Sequence, residues 1–193
     1  MGHYEIFQGW SDSYDDDIVK LGWSSPVHVS NSIIPLIKSP KSVIDIAIGT
    51  GELTLELKKS FPDTEYHGVD FSEKMLHQAR MKKVTDNLIK LNVETDNFPH
   101  PDNSFDIAAA SGLGEFINNP SLLISEMYRL VKSGGVIAIT CPKPELNNGN
   151  SMNDKISESF ANTGITEYKV DNFHAYTHEI GIEAHYNLFV ARL

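Results

Sequence analysis

A glycine turn between an apolar strand and a helix is the part of this sequence best suited to hold a ligand. Residues 43–57 read VIDIAIGTGELTLEL, in which a strand leads into Gly49, Thr50 and Gly51 and a helix begins near Glu52. Glycine permits positive φ and leaves bare backbone for a ligand to lie against. The free N–H groups at a helix start point toward that ligand. The pattern is typical of nucleotide-binding sites.

Two carboxylates accompany this turn. Asp70 ends the next predicted strand, where a carboxylate can accept hydrogen bonds from both hydroxyls of a ribose. Its alternative role is to partner the helix cap at Ser72. Asp45 lies inside an apolar strand, so it needs hydrogen bonds or a cationic partner to stay charged there. A bound amino group would be such a partner.

The elements that position these residues alternate between short β-rich runs and helical stretches, which predicts βαβ units around a parallel sheet. The predicted strands are 42–47, 65–69, 88–91, 105–110 and 136–140. The predicted helices are 52–60, 72–84 with Ser72 as the cap, and 120–132. Leu123, Met127, Leu130 and Val131 repeat at helical spacing, which is typical of a core stripe.

The two ends of the chain depart from this alternation. Residues 165–170 and 184–190 are both strand-like with no helix-length segment between them, so we expect an antiparallel hairpin that closes the sheet. Residues 26–38 are predicted to be helical, with Pro35 as a kink or end. We expect one domain with a cap at 1–40, a cofactor core at 41–141, and the closing hairpin with substrate-side segments at 142–193.

The turn and its carboxylates resemble the class I methyltransferases that depend on S-adenosylmethionine (SAM). Their first motif reads D-x-G-x-G-T-G, and their second strand ends in an acidic residue. The matching residues are Asp45, Gly49, Thr50, Gly51 and Asp70, whereas Ala47 stands where the family usually has a glycine. FPHPDNSFDIAAASG is similar to the family's entry into strand four, and SEMYRLVKSGGVIAIT to its lead into strand five. The resemblance covers residues 42–140.

The resemblance implies a Rossmann-like α/β fold: a seven-stranded, mostly parallel sheet with a closing antiparallel hairpin, helices on both faces and an N-terminal helical cap. It implies SAM as the cofactor and S-adenosylhomocysteine (SAH) as its product. Residues 92–94 would contact the adenine. The implied cofactor-binding residues are Tyr14, Asp45, Ala47, Gly49, Thr50, Gly51, Asp70, Phe71, Met75, Asn92, Val93, Glu94, Ser111 and Gly112. Residues 9–26 are most similar to the subgroup named after the Williams-Beuren chromosomal region.

The implied reaction is an SN2 transfer of the sulfonium methyl group to a small-molecule acceptor. Alignment of two bound reactants can contribute roughly 7–11 kcal/mol, whereas a general base adds about 10²–10⁴ in rate, so alignment outranks any single side chain. Glu115 and His174 are the candidate catalytic bases. The segments expected to contact the acceptor are the cap with Trp10, Tyr14 and Trp23, residues 141–150, and the hairpin turn with His174, Tyr176 and His178.

Composition limits the partners. The chain has 193 residues, 40% of them hydrophobic, and a formal net charge of −10, whereas proteins that bind nucleic acid concentrate Lys and Arg on one face. Strand four ends in SGLG instead of the N-P-P-Y-type tetrad of enzymes that methylate bases, so a nucleic-acid substrate is not expected.

The acidic cluster at Asp12 and 15–17 predicts a solvated helix start. Monomer and homodimer both stay open.

Several other sites and locations are not expected. His174, His178 and His185 with Glu179 suggest a metal site, but their spacing has little meaning in a strand and turn, so no metal is predicted. The single cysteine, Cys141, is expected to be a small buried hydrophobe. Without disulfides, membrane-length apolar runs or an export signal, the chain is expected to be cytoplasmic, with no membrane partner.

Two other functions stay open. An NAD-dependent dehydrogenase would share the glycine turn and Asp70, but its fingerprint requires a third glycine where this chain has Thr54. A catalytically silent SAM-binding module would carry the same site as the enzyme, so only activity separates the two.

Overall fold

The computed structural model describes residues 9–114, 116–144, 151–178 and 180–193. A seven-stranded sheet runs through them in the order β3-β2-β1-β4-β5-β7-β6. Its strands are β1 (Ser42–Ile46), β2 (Glu65–Asp70), β3 (Asn87–Lys90), β4 (Phe105–Ala110), β5 (Val131–Pro142), β6 (Lys169–Thr177) and β7 (Glu183–Arg192). Strands β1 to β5 pair in parallel, and β7 pairs antiparallel with β5 and β6. The predicted mostly parallel sheet with an antiparallel closing pair is confirmed.

Helices cover both faces of the sheet, as predicted. They are α1 (Tyr14–Leu21), α2 (Ser25–Ile33), α3 (Glu52–Ser60), α4 (Glu73–Met81), α5 (Ser121–Leu130) and α6 (Met152–Thr163). Side chains of α5 and α6 share a buried cluster with one face of the central strands, and those of α2 and α3 share a second cluster with the other face. Among the described residues, no helix is long and apolar enough to span a membrane.

The N-terminal cap consists of α1 and α2. Helix α2 ends at Ile33 and continues as a 3₁₀ helix, Ile34–Leu36, so Pro35 lies where the regular helix stops, as predicted. Asp15, Asp16 and Asp17 occupy the first turn of α1, where acidic side chains interact favourably with the helix dipole. The acidic cluster therefore begins a helix as expected.

Two predictions for the last quarter were wrong. Residues 152–163 form helix α6, which the sequence analysis missed although its ends carry clear signals: a capping box between Ser151 and Asp154, and a left-handed Gly164. Ile165 does not start a strand. Its N–H donates to the carbonyl of Phe160, and its side chain is buried. Ile165 is therefore apolar because it follows the end of α6 in the core, and not because it belongs to a strand. Strand β6 begins only at Lys169.

The predicted boundary between helix α5 and strand β5 was also wrong. Helix α5 ends at Leu130, and β5 begins at Val131 because that residue already pairs with Phe105 of β4. Leu123, Met127 and Leu130 are buried on α5, which confirms the core stripe for these three residues, whereas Val131 is buried as part of β5. Cys141 is fully buried, as expected, and burial raises the pKa of its thiol to about 12.

The glycine turn after β1 has the left-handed backbone that its sequence predicts. Gly49 and Gly51 have φ of 56° and 99°. A Cβ on Gly51 would lie 2.6 Å from Cγ2 of Val84, whereas a Cβ on Gly49 would meet nothing within 4 Å. Gly51 therefore allows helix packing, and Gly49 leaves open space beside the backbone.

Replacing each glycine with alanine separates these two roles. Both variants lose roughly 1–2 kcal/mol because alanine disfavours the left-handed region. Gly51→Ala should lose about 1–3 kcal/mol more, because its methyl group overpacks against Val84. Urea unfolding followed by circular dichroism measures the difference, and equal losses in the two variants would contradict the packing role of Gly51.

Candidate functional site

A cavity of about 310 Å³ lies at the carboxyl ends of β1, β2 and β4, where ligands of open α/β sheets bind. The cap, the glycine turn, the ends of β2 and β4, and the end of β6 contribute its walls. The lining residues are Trp10, Tyr14, Ile18, Leu21, Trp23, Ala47, Gly49, Asp70, Phe71, Met75, Ser111, Gly112, Leu113, Phe116, Tyr176 and His178.

The carboxylate of Asp70 points at the glycine turn. Its Oδ2 accepts a hydrogen bond from the Gly49 N–H at 2.9 Å, and its Oδ1 accepts from the Ser72 N–H at 2.8 Å. Asp70 is 4% exposed, and burial raises the pKa of its carboxyl to about 6. The same side chain thus supports the start of α4 and lines the cavity, whereas its contact with a ribose stays a prediction.

Asp45 lies beneath the turn. It is 1% exposed, and its Oδ2 accepts hydrogen bonds from the Thr54 N–H at 3.1 Å and the Thr54 hydroxyl at 2.8 Å. Burial, with a smaller contribution from the charge of Asp70, raises the pKa of Asp45 to about 7. Thr54 therefore donates two hydrogen bonds to this carboxyl. It stands at the position where a dinucleotide fingerprint requires glycine.

Ala47 also adopts the left-handed conformation, with φ of 56°, and it lines the cavity. The family's glycine at this position would reach that conformation without strain, whereas alanine costs roughly 1–2 kcal/mol there. The turn thus keeps its shape in spite of the departure from the motif.

The end of β4 packs against the cap. Gly112 has φ of 78°, and a Cβ there would lie 2.9 Å from Cζ2 of Trp23, so glycine lets the indole approach the backbone. The hydroxyls of Ser111 and Ser25 lie 2.7 Å apart, and the Gly112 N–H donates to the Thr140 hydroxyl at 2.7 Å. These contacts hold the cap over this side of the cavity.

Helix α1 is fixed to the glycine turn through Asp15. Its Oδ1 accepts from the Thr50 hydroxyl at 2.5 Å, and its Oδ2 pairs with Nζ of Lys82 at 2.8 Å. Lys82 also pairs with Glu52 at 2.7 Å. The acidic cluster was expected to be solvated, whereas Asp15 makes specific contacts with Thr50 and Lys82. Because of these contacts, Tyr14 on the same helix turn faces the cavity.

Some predicted site residues are not brought to the cavity. Asn92, Val93 and Glu94 are absent from its lining. The amide oxygen of Asn92 accepts from the Glu94 N–H at 3.0 Å, and Oε1 of Glu94 accepts from the Asn118 N–H at 2.8 Å. Val93 is buried in the core. Their contact with a cofactor stays a prediction.

Of the two candidate bases, His174 does not reach the cavity, and Glu115 lies outside the described residues. His174 lies in β6, exposed, with its Nε2 2.9 Å from the Thr177 hydroxyl, and it does not line the cavity. Glu115 lies outside the described residues, as do Glu179 and residues 145–150. Instead, His178 lines the cavity beside Tyr176, with ring centroids 4.9 Å apart. Within the described ranges, no three His, Cys, Asp or Glu side chains are grouped to hold a metal.

Three apolar lining residues, Ile18, Leu21 and Phe116, were not predicted from the sequence. A signal existed for the first two, because Tyr14, Ile18 and Leu21 are spaced as one face of a helix. Phe116 lies in the irregular segment after β4, which carries no periodic pattern.

A left-handed glycine turn after β1, a carboxylate at the end of β2 and an antiparallel closing pair define the class I methyltransferase fold. Residues 44–139 match the family described as Methyltransferase domain. The chain is 36% identical over 115 residues to the demethylmenaquinone methyltransferase of Thermus thermophilus, covering 58% of this chain and 52% of that protein. It is 33% identical over 146 residues to the enzyme of the same name from Deinococcus radiodurans, covering 72% and 60%.

Solved structures share the fold. A SAM-dependent methyltransferase from Thermotoga maritima has a TM-score of 0.71 and 21% identity, covering 98% of this chain and 99% of that one. Phosphoethanolamine N-methyltransferase 2 of Haemonchus contortus, in complex with phosphomonomethylethanolamine and SAH, has a TM-score of 0.67 and 18% identity, covering 88% and 52%.

The chain belongs to the class I SAM-dependent methyltransferase family, whose cofactor is SAM. It spans between about half and three fifths of the length of the two curated relatives, 52% and 60%. Its assignment to the Williams-Beuren-region subgroup stays a prediction.

Removing the carboxylate of Asp15 should release helix α1. The loss of its contacts with Thr50 and Lys82 costs about 1 kcal/mol after allowance for its partial exposure, so local opening of the cap becomes roughly fivefold more frequent. Trypsin cleavage after Lys20, whose side chain is 74% exposed, should accelerate by that factor in Asp15→Ala. Asp16→Ala is the matched control because it removes the same charge from the same turn. Equal cleavage rates in the two variants would refute the anchor.

The buried carboxyl of Asp45 should make stability depend on pH. Its pKa rises from 3.8 to about 7 in the folded chain, so between those values the folded state binds more protons, and the free energy of unfolding falls as pH rises. Asp45→Asn keeps an acceptor for Thr54 but cannot titrate, and should flatten this decline. Urea unfolding at pH 5 and pH 7 provides the comparison. An unchanged decline would mean that Asp45 titrates normally.

Proposed function

We propose that this chain transfers a methyl group from SAM to a small-molecule acceptor. The supporting observation is the charge of the site: two buried carboxyls, Asp45 and Asp70, lie at the glycine turn, and no Lys or Arg lines the cavity. The sulfonium and amino groups of SAM are cations, which suit such a site. The pyrophosphate of NAD would instead face Asp15 and Glu52 at the start of α3, an arrangement that disfavours the dehydrogenase alternative.

The residues at the cavity fit the parts of SAM. Asp70 accepts the ribose hydroxyls in addition to its bonds from Gly49 and Ser72, since each carboxylate oxygen has capacity for more than one donor. The open backbone at Ala47 and Gly49 accommodates the methionine end. Phe71 and Met75 would hold the adenine, whereas the amide oxygen of Asn92 would have to release the Glu94 N–H before it could accept a hydrogen bond from the adenine. The remaining proposed cofactor contacts are Tyr14, Asp45, Thr50, Gly51, Val93, Glu94, Ser111 and Gly112.

Bound SAM supplies a methyl group on a sulfonium, and attack by an acceptor lone pair breaks the methyl–sulfur bond, leaving SAH and a proton to be released. The protein's part is to hold both molecules in line and to exclude water. The rings of Trp10, Tyr14 and Trp23 cover the site from the cap, and the contacts of Asp15 keep that cap closed. Alignment of this kind contributes roughly 7–11 kcal/mol.

The two curated relatives are named for demethylmenaquinone, a small molecule, and we propose a small-molecule acceptor here as well. Nucleic acid is not proposed, given the net charge of −10. We propose the cytoplasm as the location, because a chain with a single cysteine needs no oxidising compartment. Release of SAH with any acceptor excludes the silent SAM-binding module.

Calorimetric titration with SAM, SAH and NAD tests the cofactor assignment. SAM and SAH should bind and NAD should not. Asp70→Ala should weaken SAM binding by roughly 10- to 150-fold, because a hydrogen bond to a charged group contributes about 1.5–3 kcal/mol. Asp63→Ala, an exposed acid elsewhere on the surface, is the matched control. Asp70→Asn guards against a folding defect. Binding of NAD alone, or unchanged SAM affinity in both Asp70 variants, would overturn the proposal.

The cavity favours His178 over His174 as the imidazole that receives the acceptor's proton, whereas Glu115 stays a prediction. With an acceptor found by screening for SAH release, His178→Ala should lower kcat by a factor of about 10² or more and leave SAH affinity unchanged. His174→Ala, on the same hairpin, should have normal kcat. The opposite ranking of the two variants would restore His174 as the base.

A further inference from the structure

The cavity wall has no positively charged Lys or Arg side chain, and this restricts the kind of acceptor that the cavity can bind. All 16 Lys and Arg residues occupy described positions, and none of them lines the cavity. The undescribed residues contain neither Lys nor Arg, so they cannot supply this charge. Among the lining residues that the structure describes, the one carboxylate is Asp70. A carboxylate or phosphate on the acceptor would therefore lose its hydration without gaining a cationic side chain of the protein as a partner.

A cationic acceptor is disfavoured by the proposed donor. A sulfonium in the same water-poor space repels a second cation. A protonated amine also has no lone pair with which to attack a methyl group. An amine would have to enter as the neutral base, and the cavity would then hold an uncharged molecule.

The walls favour a flat, apolar molecule. Among the described lining residues, four aromatic side chains are not assigned to the cofactor, and they come from the cap, from the segment after β4 and from β6: Trp10, Trp23, Phe116 and Tyr176. Trp10 and Tyr14 meet edge to face with centroids 4.8 Å apart, and Trp23 lies 5.7 Å from Tyr176. Such rings bind another ring by stacking and edge contacts. The hydroxyls of Tyr14 and Tyr176 and the imidazole of His178 add groups that can hydrogen-bond to a hydroxyl or an amine on that ring.

From these observations we infer that the acceptor is an uncharged aromatic-ring compound, held between the cap and the end of β6 and selected against anions by the lack of Lys and Arg side chains in the cavity wall. The inference rests on the proposed function, and it names the class of acceptor for that same site.

Three naphthalene derivatives of nearly equal size test the charge selection: neutral 2-naphthol, anionic 2-naphthoate and cationic 2-naphthylmethylamine. Calorimetry at pH 7 should give a Kd for 2-naphthol at least tenfold below that for 2-naphthoate in the SAH-saturated protein. In the SAM-saturated protein, which carries the sulfonium, the Kd for 2-naphthol should be at least tenfold below that for 2-naphthylmethylamine. Equal or tighter binding of either charged compound, or no binding of 2-naphthol, would overturn the inference. If SAH itself does not bind, the proposed function fails, and the three probes are then compared in the protein without SAH.

A lysine introduced into the cavity wall should reverse the selection against anionic compounds. Leu21 lines the cavity in the last turn of α1, where a cation is favoured by the helix dipole, so Leu21→Lys places a charge at the wall without opposing the fold. It should tighten 2-naphthoate binding at least fivefold. Val19→Lys adds the same charge to the same helix at a residue that is 78% exposed and does not line the cavity, and it should leave the Kd unchanged. An equal gain in both variants would mean that net charge, and not the cavity, controls anion binding.

Discussion

The hydrogen bond from the Gly49 N–H to the Asp70 carboxylate is the contact on which the site depends. It joins the first two strands of the sheet at their carboxyl ends and fixes a buried charge beside open backbone. The left-handed turn at residues 47–51 is needed to present that N–H, and the second oxygen of Asp70 simultaneously supports the start of α4. A single carboxylate thus couples the glycine turn, the neighbouring helix and the cavity wall.

Burial makes this arrangement costly in the absence of a ligand. The raised pKa values of Asp45 and Asp70 mean that the folded protein resists holding both carboxyls ionised. A cationic, hydroxyl-bearing ligand offsets that cost, whereas an anionic one increases it. The acidic turn favours SAM, and the lack of Lys and Arg in the rest of the cavity wall disfavours an anionic acceptor.

The sequence predicted the parts of the fold that local pattern controls. The glycine turn, Asp70, the cap of α4 at Ser72 and the core stripe of α5 follow from residue type and spacing, and the structure contains all of them. Helix α6 was missed because a polar helix with a weak apolar face is recognised mainly by its caps. His174 and His178 could not be separated from sequence, because both fall in the same predicted hairpin turn, whereas in the structure His174 lies within β6 and His178 follows its end. The Asp15 anchor pairs residues far apart in the chain, for which no local pattern exists.

A crystal structure of the protein with SAH would show whether Asp70 binds the ribose. We expect an adenosyl group above the turn at residues 49–51, with both ribose hydroxyls at about 2.5–2.8 Å from the carboxylate oxygens of Asp70. A ribose beyond hydrogen-bonding distance of Asp70, or SAH bound outside this cavity, would contradict this expectation.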